Sequence, residues 1–238
     1  MGEEHNIAKF RRETQGVLDD TLTSLAEGIT GLAATDKKEI ALSVGHLLQA
    51  LRKGLFLSQF AEEWKRLREK GRIKEGYESS EQHVACLQEM LEFLDKDVPD
   101  QVTFDFLKKI FFVAATDPDT DRESLLPHEY MRVCRRLSSG EVIVLATAFR
   151  VPETDFGGAS NDASIWLRMI ADRSGLAHTG LVEVHEEELM KKRLLTPRVH
   201  SDRSGVVVAP HFRLTDLAYG ICKYIAKYKE AELEGQNP

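Results

Sequence analysis

Residues 160–228 read SNDASIWLRMIADRSGLAHTGLVEVHEEELMKKRLLTPRVHSDRSGVVVAPHFRLTDLAYGICKYIAKY, and the hydrophobic period of this stretch changes twice. Ser160, Asn161 and Asp162 offer N-cap oxygens ahead of Ile165, Trp166, Met169 and Ile170, whose three- and four-residue spacing predicts a helix that Gly175 ends. After the apolar connection 176–182, a second helix carries Val184, Leu189 and Met190 within a frame of Glu186, Glu187, Glu188, Lys191, Lys192 and Arg193. The acids precede the bases, as the helix dipole favours. Pro197 then blocks further helix, Arg198-Val199-His200 fits a strand, 202–205 carries turn chemistry, and Val206-Val207-Val208 completes a hairpin. Thr215 caps a closing helix from Asp216 to about Lys229, with Leu217, Ile221, Tyr224, Ile225 and Tyr228 as its apolar stripe.

Helix, helix, hairpin, helix is a winged-helix-like order, and Trp166, Leu189, Leu217 and Ile221 are its expected core. The fold class this predicts is mainly α. A helical N-terminal and central bundle precedes a winged-helix-like module with a small β-hairpin. Turn signals divide the chain into residues 1–76, an N-terminal helical hairpin or oligomerisation region; 77–155, a central helical bundle; and 156–238, the module.

Upstream, Ile7, Phe10, Val17, Leu18, Leu22, Leu25, Ile29 and Leu32 recur at helical intervals. Asp36 caps a second helix with Ile40, Val44, Leu47, Leu48 and Leu51, and a third run passes through Phe56, Phe60, Trp64 and Leu67 to Gly71. These stripes need partners, so a protein partner or self-association through the N-terminal helices is expected. Ser80 precedes a helix carrying Val84, Leu87, Met90, Leu91 and Leu94, and Asp100 caps one with Phe104, Leu107, Ile110, Phe111 and Ala114 as its buried face. Pro127 suits the first turn of the next helix. Ser138 and Glu141 then form a capping box before the apolar run Val142 to Phe149.

The 238 residues carry a net charge of −7, which argues against a protein built mainly to coat nucleic acid. Cys86, Cys134 and Cys222 are widely spaced and odd in number, so they read as reduced core residues. No stretch is long and apolar enough to span a bilayer, and a cytoplasmic protein is expected.

Asp117, Asp119 and Asp121 alternate as in a calcium loop, but Arg122 stands where the sharp turn needs glycine and His128 where a bidentate glutamate should close the site. His178, His185, His200 and His211 lack the compact spacing of a zinc site. No metal and no cofactor is therefore assigned. Nucleophile elbows, phosphate-cradling loops and dinucleotide fingerprints are also missing, so no catalytic residue is assigned. An enzyme with a dispersed carboxylate site stays open as an alternative.

A DNA-binding winged-helix regulator is a second alternative, with Lys191, Lys192, Arg193, Arg198 and Arg203 as candidate phosphate contacts. Glu186, Glu187, Glu188 and Asp202 on the same elements would repel the backbone. The leading expectation is a non-enzymatic protein-interaction or regulatory protein. Leu137-Ser138-Ser139-Gly140-Glu141 leading into an apolar helix, followed by a module closing on Phe212-Arg213-Leu214-Thr215-Asp216-Leu217-Ala218-Tyr219-Gly220, resembles bacterial Abi-alpha-type proteins associated with abortive infection. The resemblance covers about residues 105 to 225. It implies a role in phage defence or its regulation and carries over no catalytic residue.

Overall fold

The computed structural model describes residues 37–95, 99–121, 123–151, 163–202, 205–208 and 213–234. Within them the protein is mainly α-helical. The expected first helix, the Asp36 cap, the loop around Gly157 and Arg203 lie outside the described residues. The chain divides into two units, one of residues 1–75 and 90–99 and one of 76–89 and 100–238.

In the first unit, α1 (Lys37–Glu69) is one helix of 33 residues, not the two successive helices that the sequence suggested. Gly54 lies inside it with open space around its α-carbon. A glycine costs a helix interior about 1 kcal/mol, and the buried Phe56, Leu57 and Phe60 immediately beyond it offset that cost. The end comes at Gly71, whose φ of 62° follows the last turn. Helix α2 (Glu81–Leu94) contributes the buried Met90, Phe93 and Leu94 to this unit, and Lys53 pairs with Asp95 just past its end.

The second unit is built on α3 (Gln101–Thr116), α4 (Leu126–Cys134), α5 (Ser139–Arg150), α6 (Ala163–Ser174), α7 (Thr179–Lys191) and α8 (Asp216–Glu234). Helix α3 packs on α4, α5 and α8, while α5 packs on α6, α7 and α8, and α6 on α7. Two strands, β1 (Val199–Asp202) and β2 (Gly205–Val208), run antiparallel with Val199 opposite Val208.

Local chemistry sets the helix starts where the sequence placed them. The Asp100 carboxylate accepts the Thr103 N–H at 2.8 Å, and the Ser80 hydroxyl accepts that of His83 at 3.1 Å. Glu141 accepts the Ser138 N–H at 2.6 Å while Ser138 accepts the Glu141 N–H at 3.4 Å, which closes the capping box. Pro127 stands in the first turn of α4, and Gly175, at φ 74°, follows α6. Helix α7 starts at Thr179, so Leu181 and Val182 belong to it and not to the connection before it.

Helix α3 is the core of this unit: Phe104, Leu107, Ile110, Phe111 and Ala114 are all fully buried, as its spacing predicts. Five expected core positions turn outward on other helices. Val84 and Leu91 on α2, Val184 on α7 and Leu217 on α8 are exposed, as is Ile165 on α6. Of the expected quartet, Trp166, Leu189 and Ile221 are buried but Leu217 is 40% exposed. Helix α8 buries Ile221, Tyr224 and Tyr228 of the expected stripe, with Ala218 and Cys222 beside them in place of Leu217 and Ile225, a face turned by a fraction of a residue. Thr215 fixes that phase: its hydroxyl accepts the Ala218 N–H at 3.2 Å and donates to the Arg193 carbonyl at 3.0 Å, tying the helix start to the end of α7.

Candidate functional site

The five basic residues singled out by sequence have different fates. Lys191 is exposed and bonds Glu188 at 2.7 Å, an i, i+3 pair that raises its titration. Lys192, at the end of α7, pairs with Glu141, whose side chain is 3% exposed. The Glu141 carboxylate therefore both closes the α5 capping box and holds the end of α7. Arg193 is exposed at φ 59°. Arg198 pairs with Glu186 on α7. Arg203 lies outside the described residues. Two of the four described cations are thus engaged by carboxylates that are almost wholly buried.

Glu186 is the centre of the larger network. Its side chain is 3% exposed, and its oxygens accept from Trp166 Nε1 at 2.7 Å and Arg213 Nη1 at 2.7 Å, besides Arg198. Arg213 is itself fully buried and donates through Nε to the Thr196 carbonyl at 2.9 Å. The Thr196 N–H donates back to the Arg213 carbonyl at 2.7 Å. One carboxylate thereby joins α6, α7, the approach to β1 and the segment before α8. A carboxylate at that depth requires such partners, because an unpaired buried charge costs several kcal/mol. Sequence reading took Glu186 for one of three acids facing a groove. The structure turns it inward and leaves Glu187 exposed.

A second buried carboxylate, Glu89 on α2, lies between His128 on α4 and Arg135 just past the end of α4. His128 Nε2 stands 3.2 Å from Glu89 Oε1, and Arg135 pairs with its other oxygen. One turn and two turns earlier on the same face are Cys86 and Gln82, both fully buried. Burial, and then the Glu89 charge, push the Cys86 thiol up to about 12, which leaves it a poor nucleophile. The Gln82 amide donates to the Asp121 carbonyl at 3.0 Å and also to that of Ser124. Nothing in the sequence of α2 marks Gln82 or Glu89 as inward, because their partners are 39 residues or more away.

The aspartate loop is occupied by its own surroundings. Asp117 accepts from Lys227 at 2.6 Å and Thr120 at 2.8 Å; burial would raise its carboxyl, but these bonds outweigh burial and hold it below the usual range. Glu188 is likewise lowered by the Lys191 bond. Both move opposite to what a general acid at neutral pH needs. Among the described residues no group of three His, Cys, Asp or Glu could hold a metal ion. His178 is exposed and His185 packs over Gly140, while the side chains of His200 and His211 fall outside the described residues. Cys86, Cys134 and Cys222 are free and buried.

No described helix is long and apolar enough to cross a membrane. No protein family, curated protein or solved structure matches this chain.

Proposed function

We propose that this chain is a non-enzymatic protein-interaction or regulatory protein, with α6, α7, the β1–β2 pair and α8 forming a winged-helix-like scaffold used for protein contact. The observation that carries the reading is the engagement of Lys192 by Glu141 and of Arg198 by Glu186. A DNA-reading helix needs its cations free for phosphate, and here they hold the scaffold together. The outward side of α7 supports the same view. It presents Leu181 and Val184, 45% and 54% exposed, beside Glu183 and Glu187. Such a face repels a phosphate backbone and suits a protein surface. The Abi-alpha resemblance supplies the proposed setting, phage defence.

The test is fluorescence anisotropy of labelled random duplex DNA with the full chain at about 50 and 200 mM salt, a range over which phosphate-mediated binding weakens steeply. The expected result is no salt-sensitive binding. Binding that falls steeply with salt and disappears in Lys191→Glu with Arg193→Glu would replace this reading with the DNA-binding regulator.

A further inference from the structure

We draw no further inference here: the strongest candidate, the outward face of α7 where Leu181 and Val184 are exposed beside Glu183 and Glu187, carries none, because Glu187 and Glu188 already face Lys191 on the same helix and nothing in the structure shows what covers it.

Discussion

Helices α2 and α3 are neighbours in sequence and opposites in design. Helix α3 buries the face its apolar spacing defines, with Phe104, Leu107, Ile110 and Phe111 inside. Helix α2 buries Met90, Phe93 and Leu94 near its end, but its earlier turns bury a glutamine, a cysteine and a glutamate, and Val84 and Leu91 are exposed. The difference shows when hydrophobic periodicity decides a helix's orientation. It does so where nothing polar competes, as on α3. On α2 a carboxylate held by His128 and Arg135 and an amide with two carbonyl partners outweigh two branched aliphatics. Removing two aliphatics from water would contribute a few kcal/mol. Stranding Glu89 and Arg135 would cost at least as much.

The largest expected effect falls on the conforming helix. Phe111→Ala should lower unfolding stability in urea by about 4 kcal/mol, since the ring is wholly buried and packs edge-on against Phe112 at 5.7 Å and Tyr77 at 6.2 Å. A loss near zero would mean that α3 is not the core.

Next comes the carboxylate hub of α7, the other helix that hides an acid and exposes an aliphatic. Glu186→Ala should cost about 3 kcal/mol, because Arg213 would remain buried without its counter-charge. The same substitution at the exposed neighbour Glu187 should change stability by less than about 0.5 kcal/mol. Equal effects at the two sites would break the distinction between inward and outward acids.

That distinction also explains what could be read in advance. Caps were legible because they are local: Asp100, Ser138 with Glu141, Thr215 and Ser80 each bond a backbone N–H within three residues. The α3 face was legible because apolar burial needs no specific partner. The inward turn of Glu186 was not, since Glu186, Glu187 and Glu188 look alike until Arg213, 27 positions on, selects one. The same blindness affected the basic residues. Lys192 and Arg198 look like phosphate contacts on a sequence, and their engagement with Glu141, 51 residues away, and Glu186, 12 away, exists only in the fold. The single α1 was missed for a different reason. Polar residues between two apolar runs resemble a break, yet a helix passes through them when the burial on the far side is sufficient.

A pH effect of intermediate size probes the α2 inward face directly. His83 packs edge-on against Tyr77 at 5.3 Å and Phe111 at 5.6 Å, and burial lowers its titration from 6.5 to about 4. The unfolded chain therefore takes up this proton between those two values and the folded chain does not. Stability due to the neutral ring is fully present above about pH 6.5 and is lost as the pH falls toward 4. The expected loss across this window is about 2 kcal/mol after allowance for the ring's remaining solvent contact. His83→Phe should keep the aromatic packing and flatten that part of the pH profile, as measured by urea midpoints at several pH values. A wild-type chain with no loss in the window would mean that the ring stays hydrated.

The smallest expected effect is the one that most sharply separates α2 from α3. Val84→Ser with Leu91→Ser should alter stability by no more than about 0.5 kcal/mol per site, because both side chains already stand in water. The matching pair on α3, Leu107→Ser with Ile110→Ser, would place hydroxyls where exposure is zero and should unfold the unit. If the α2 pair were instead strongly destabilising, Val84 and Leu91 would be packed against something in the free chain, and their outward orientation would have to be abandoned.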